Sequence, residues 1–171
     1  MNSKISLDEI KESVKKCLDK TYSDDIILFE RNRRKGLSER CIVFRFAHYL
    51  QNELHGWFVD CDFNSSSINN HERSGKPIVG DSGRITKRFI DIIVHKRDFR
   101  QENDFLCFEI KKWNNYSRSQ QKKDLNNLKR LTTDYGYNYG FYIILGKERG
   151  SAKWMIFKNG QILRGRLMKI F

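Results

Sequence analysis

The sequence predicts an α/β fold, a central mixed β-sheet with helices on both faces. Three observations carry the prediction. Short apolar runs rich in β-branched and aromatic residues recur at 57–63, 88–95, 105–111 and 141–145, bounded by polar or charged stretches. Apolar residues at helical spacing mark 6–20, 38–54 and 117–131. The two kinds of segment interleave along the chain, which is how a layered α/β protein is built. The 171 residues suit one domain large enough to bury a core, and an aromatic share of 13% fits a packed chain.

The first helix is expected over 6–20. Ser6 and Glu9 form a capping box, and Leu7, Ile10, Val14 and Leu18 make its apolar stripe. A polar break at 22–25 leads to the short apolar run 26–29, a small strand or an extended connection. The basic loop ERNRRKG at 30–36 either contacts phosphates or is simply solvated. A second helix follows over 38–54, capped by Ser38 and stopped by Gly56. Ile42, Val43, Phe46, Ala47, Leu50 and Leu54 form its buried face. Glu39 sits in the first turn, where a negative charge suits the helix dipole.

Residues 57–111 are expected to supply an antiparallel meander at the centre of the sheet. Within 57–63, Asp60 and Asp62 point the same way, on a partly wet edge or towards a site. The segment 64–87 is rich in Ser, Asn and Gly and holds the only proline. A connection this long inside a compact domain is often functional. It is read as a flap closing over nucleic acid, with Arg84, Lys87 and Arg88 meeting phosphates.

The two strands that follow carry charge inside apolar runs. Asp91 lies among Phe89, Ile90, Ile92, Ile93 and Val94; Glu109 and Lys111 close the run that begins at Phe105. Side chains alternate across a strand, so one pairing register brings Asp91, Glu109 and Lys111 onto a single face. Charge inside an apolar strand is costly unless it is paired or binds a metal. A structural ion pair of Asp91 with Lys111 would meet that demand. So would a divalent cation, which also relieves the repulsion between the two carboxylates.

After Lys111 a basic helix is expected from Ser117 or Ser119 to Leu131, with Leu125, Leu128 and Leu131 as its stripe. Tyr135, Tyr137 and Tyr139, spaced among glycines, either stack on unpaired bases or pack over the end of the sheet. A strand at 141–145 follows. The chain then closes with a hairpin, 153–158 and 161–169, joined by Asn159-Gly160, the preferred pair for a type I′ turn.

Asp91, then Glu109-Ile110-Lys111 on the next strand, resembles the PD-(D/E)XK, or restriction-endonuclease-like, nuclease superfamily. A preceding helix carrying Glu39 and a following basic helix extend the resemblance over roughly 36–146. The proline that precedes the aspartate in that family is Ile90 here. The resemblance implies a restriction-endonuclease-like core. It also implies that Asp91, Glu109 and the backbone carbonyl of Ile110 bind Mg²⁺ or Mn²⁺. Lys111 would orient or deprotonate the attacking water or neutralise the transition state, and Glu39, reaching from its helix, would complete the metal shell or hold a second ion. The helix after the motif would lie beside the scissile phosphate, with Gln121, Lys122 and Lys123 as backbone contacts.

Composition agrees with a polyanionic partner: the formal net charge is +12 and the sequence pI about 9.6. The expectation is a metal-dependent nuclease acting on nucleic acid, DNA in preference to RNA, with a homodimer or partner subunit compatible with so small a chain. The alternative is a nucleic-acid-binding module on the same fold that does not cut. A basic adaptor for an acidic protein would explain the charge but not the strand carboxylates. No apolar run approaches a membrane span and the N-terminus has no signal-peptide core, so the expected location is the cytoplasm, without membrane contact. Cys17, Cys41, Cys61 and Cys107 show no zinc spacing and are expected to be buried, reduced core residues. The four histidines form no metal or catalytic motif.

Overall fold

The computed structural model describes residues 5–29, 38–63, 77–79, 85–87, 90–96, 104–114 and 117–171. The helices are α1 (Leu7–Asp24), α2 (Glu39–Glu53) and α3 (Arg118–Thr133). The strands are β1 (Phe58–Phe63), β2 (Pro77–Val79), β3 (Ile85–Lys87), β4 (Ile90–His95), β5 (Asp104–Lys112), β6 (Tyr139–Leu145), β7 (Lys153–Lys158) and β8 (Gln161–Lys169). Single 3₁₀ turns lie at Ile26–Leu28 and Arg149–Ser151.

Six strands form one mixed sheet in the order β1-β4-β5-β6-β7-β8. β5 and β6 run parallel, and every other neighbouring pair is antiparallel. Parallel neighbours need a crossover, and α3 supplies it. The expected meander is present as β1-β4-β5, but it is not central. β7 and β8 extend the sheet beyond β6, so among the described strands β1 lies at an edge and the β5–β6 pair in the middle. Within 64–87, Pro77–Val79 and Ile85–Lys87 pair as a separate two-stranded sheet. Arg84 and Arg88, and most of the segment read as a flap, lie outside the described residues.

Buried apolar side chains sort into two clusters. One joins Ile10, Val14 and Leu18 of α1 and Ile42, Phe46 and Leu50 of α2 to Ile92, Phe108, Ile110, Phe141 and Ile143 of the sheet. The other joins Leu128 and Leu131 of α3 to Ile93, Cys107, Tyr142 and Ile144. In β5 and β6 the two sets alternate along the strand, as period-two side chains must. Gly140 lets α3 approach β6 closely: a Cβ there would meet Leu128 Cδ2 at 3.2 Å and Thr132 Cγ2 at 3.3 Å.

Local chemistry accounts for the element ends. Ser6 and Glu9 make the reciprocal capping box of α1. The helix runs on to Asp24 rather than stopping near Lys20, because Tyr22 is buried. Its hydroxyl donates to the Gly146 carbonyl at 3.0 Å and its ring stacks on Phe29 at 4.1 Å. Residues 26–28 form a 3₁₀ turn, not a strand, with Leu28 N donating to Asp25 O and Phe29 N to Ile26 O, both at 2.9 Å. Ser38 and Ser117 cap α2 and α3. At the final hairpin Asn159 and Gly160 both have positive φ, 48° and 72°, as a type I′ turn requires.

The cysteines divide. Cys17 and Cys107 are buried, but Cys41 and Cys61 are exposed, against the expectation of four core thiols. Cys41 lies on the outward side of α2, and Cys61 is on the edge strand β1. Among the described residues no helix is long and apolar enough to cross a membrane.

Candidate functional site

The β4–β5 ladder pairs Ile92 with Phe108 and Ile93 with Cys107. One step further along the same register sets Asp91 opposite Glu109. The two carboxyl groups therefore lie side by side on one face of the sheet. Asp91 Oδ2 also accepts from the Ile110 N–H at 2.7 Å. In the structure Ile110 therefore contributes a backbone donor, while its side chain is buried in the core.

Lys111 lies at the centre of a wider cluster. Its Nζ is 3.6 Å from Asp91 Oδ2, 3.8 Å from Glu39 Oε1, 3.8 Å from Asp124 Oδ2 and 4.0 Å from Glu109 Oε2. Four carboxylates from four elements surround one ammonium. Glu39, at the first turn of α2, also accepts from the Lys112 N–H through Oε2 at 2.7 Å. The sequence left Glu39 with two roles, helix capping or the site; the structure places its carboxylate in the cluster.

Burial sets the protonation of these groups. It pushes the Glu109 carboxyl well above the usual range, and the charges of Asp91 and Asp124 push it further; Lys111 only partly offsets them. Burial also raises Asp91, against the pull of Lys111 and the Ile110 N–H. Two buried carboxyls side by side cannot both ionise cheaply, and Glu109, the more deeply buried, is raised the further of the two. Burial works against charge on Lys111, yet Asp91, Glu109, Asp124 and Glu39 outweigh it and raise the ammonium above its ordinary value.

The donor chemistry fits a hard divalent cation: carboxylate oxygens, with more negative charge than one lysine neutralises. Asp91 and Glu109, side by side, are the residues that would hold it. Among the described residues, however, no three His, Cys, Asp or Glu side chains stand together as a ready cage. A cation held here would take over part of the contacts that Asp91 and Glu109 make with Lys111.

Asp124 is the member that the sequence reading missed. A signal was present. Asp124 falls four residues before Leu128 and seven before Leu131, on the apolar stripe of α3, and only 2% of it is exposed. An acid on the inner face of a basic helix needs a cationic or hydrogen-bonding partner. Here Lys111 and Gln120 provide them, Gln120 Nε2 donating to Asp124 Oδ1 at 2.9 Å.

Of the expected phosphate contacts, those on α3 are described with their side chains. Lys122 and Lys123 stand on the exposed side of α3 and Gln121 is half-buried. Lys87 ends β3, and Arg84 and Arg88 lie outside the described residues. Tyr135 and Tyr137 are 5% and 1% exposed, so they pack in the protein and offer no free ring face to a base. Asp60 is engaged with His95, its Oδ2 2.7 Å from Nε2. Compared with known proteins, the chain matches no family model, no curated protein and no solved structure.

Proposed function

We propose that this chain is a metal-dependent nuclease of the PD-(D/E)XK type, hydrolysing phosphodiester bonds in nucleic acid, DNA in preference to RNA. The observation that carries the proposal is the buried cluster at the ends of β4 and β5: Asp91, Glu109 and Lys111, joined by Glu39 and Asp124 around a single ammonium. Burying this much like charge is expensive for stability alone, and such sites are where function concentrates. The fold offers further support. The two apolar clusters, one with α1 and α2 and one with α3, suit a sheet flanked on both faces in a restriction-endonuclease-like core.

In this reading Asp91 and Glu109 would hold Mg²⁺ or Mn²⁺, and the resemblance adds the backbone carbonyl of Ile110 as a third oxygen. A bound ion would supply a water of lowered pKa and offset charge on the phosphoryl oxygens. Lys111 orients that water or neutralises the transition state. Glu39 fixes the strand end through the Lys112 N–H. Gln121, Lys122 and Lys123, with Arg84, Lys87 and Arg88, meet the nucleic-acid backbone. A second copy or partner subunit would extend so small a binding surface.

One observation favours a second reading, a nucleic-acid-binding module that does not cut. Lys111 already stands among the carboxylates, and no three-donor cage is assembled among the described residues. Cleavage of a panel of DNA and RNA substrates with Mg²⁺, Mn²⁺ or EDTA decides between them. The nuclease reading expects metal-dependent cutting that drops by about 100-fold or more in Asp91→Ala and in Lys111→Ala. Binding without cutting, equal in wild type and both variants, would establish the second.

A further inference from the structure

The four carboxylates around Lys111 are not equivalent. Asp91 and Glu109 face each other across paired strands, 3.6 Å and 4.0 Å from Lys111 Nζ. Glu39 and Asp124 arrive from different helices, and each has one oxygen fixed by the protein. Glu39 Oε2 is held by the Lys112 N–H, and Asp124 Oδ1 by Gln120 Nε2. Their other oxygens face Lys111 Nζ at 3.8 Å. Gln120 itself lies one turn before Asp124 on α3, in the i,i+4 relation that lets the two side chains meet.

This geometry divides the site into two jobs. A cation that takes Asp91 and Glu109 withdraws them from the lysine. The ammonium then repels the ion and must be held by something else. Glu39 can serve from the α2 side, but it is the more exposed of the pair, 19% of its side chain against 3% for Asp124. A buried carboxylate is the stronger anchor, because the surroundings screen it less.

We propose that Asp124, oriented by Gln120, is the positioning residue for Lys111, holding the ammonium towards α3 while Asp91 and Glu109 are occupied by a divalent cation. The inference rests on the nuclease reading and adds a residue to it. It also gives α3 a task beyond covering the sheet: the helix aims the lysine.

The test uses the full chain with Mn²⁺. Asp124→Asn keeps the size of the side chain and its acceptor for Gln120 but removes the charge. The expected result is a kcat lower by about 10- to 100-fold, with KM for the nucleic acid and calorimetric Mn²⁺ affinity close to wild type. Asp124→Glu recovers part of the lost kcat, which a purely structural role would not allow. In Lys111→Met the further change Asp124→Asn costs no additional activity, because the group being positioned is gone. Asp91→Asn, by contrast, loses Mn²⁺ binding. Two outcomes would overturn the inference while leaving the nuclease reading intact: unchanged kcat in Asp124→Asn, or loss of Mn²⁺ affinity as deep as that of Asp91→Asn, which would make Asp124 a ligand. Absence of cutting by the wild type on every substrate would instead overturn the nuclease reading, and the inference with it.

Discussion

Glu109 shows how burial alone can redefine a side chain. An exposed glutamate ionises near pH 4.5; here desolvation, then Asp91 and Asp124, keep the proton on well above that. The consequence for stability has a definite sign. Between the unfolded and the folded pKa the native protein binds more protons than the unfolded chain, so stability falls as pH rises from about 4.5 through the folded value. Glu109→Gln removes that dependence. At neutral pH and without metal, the variant is expected to melt above wild type by about 2–4 °C, the equivalent of ~1 kcal/mol in a chain of this size. On the proposed reading a metal competes with protons for Glu109, so Mn²⁺ should raise the wild-type melting temperature more at about pH 8 than at about pH 5, and Glu109→Gln should lose that response. Thermal scans at the two pH values, with and without Mn²⁺, check both statements.

Among the elements, α3 and the β7–β8 hairpin act as one unit. The Gly160 N–H donates to Thr132 Oγ1 at 3.0 Å, so the turn is docked on the C-terminal end of the helix. Gly160 is held at φ 72°, and a Cβ there would meet Thr133 Cγ2 at 2.6 Å. Gly160→Ala therefore combines left-handed strain with a clash, at a cost of about 1–2 kcal/mol from the backbone alone. A urea titration should show the midpoint fall with an unchanged slope. Because α3 also carries Asp124, the proposed nuclease reading expects the same substitution to lower activity more than it lowers Mn²⁺ binding. The pairing of β4 with β5 sets the remaining geometry: a slip of one residue would turn Asp91 away from Glu109.

At the scale of the molecule, charge and core play separate parts. The net charge of +12 is no argument about fold, but it sets how the protein meets a polyanion. Binding to duplex DNA through ~4–6 phosphate contacts should give a slope of about −4 to −5 in log affinity against log salt. Lys122→Ala and Lys123→Ala should each reduce that slope by about one contact while leaving the Mn²⁺ affinity unchanged. Fluorescence anisotropy over a salt series measures the slope directly. A slope unaffected by both changes would move the nucleic-acid face away from α3. The core, for its part, fixes the strands that carry the site. Phe108 lies between Phe46 and Phe141, with ring centroids 5.8 Å and 5.0 Å away, so β5 is gripped from α2 and from β6 on the face opposite Glu109.

Much of this was legible from local patterns. The α/β alternation, the capping box at Ser6, the Asn159-Gly160 turn and the apolar stripes all depend on neighbours within a few residues, and such signals survive in one dimension. The motif Asp91 and Glu109-Ile110-Lys111 was legible for the same reason, since alternation along paired strands already offered a register that puts the three on one face. What depends on distant partners was not. Asp124 hides among the lysines of a basic helix until α3 crosses over β5. Glu39 was offered to the site by the resemblance, but the local pattern left helix capping equally open, and its carboxylate joins the cluster only when the start of α2 meets Lys112. The exposure of Cys61 and the edge position of β1 follow from how far the sheet extends on its other side. Local pattern alone marks which elements form and which residues carry charge into apolar strands. That four carboxylates from four elements converge on one lysine emerges in the folded chain, because the convergence is a sum of long-range packing and burial, and neither is written in any single stretch.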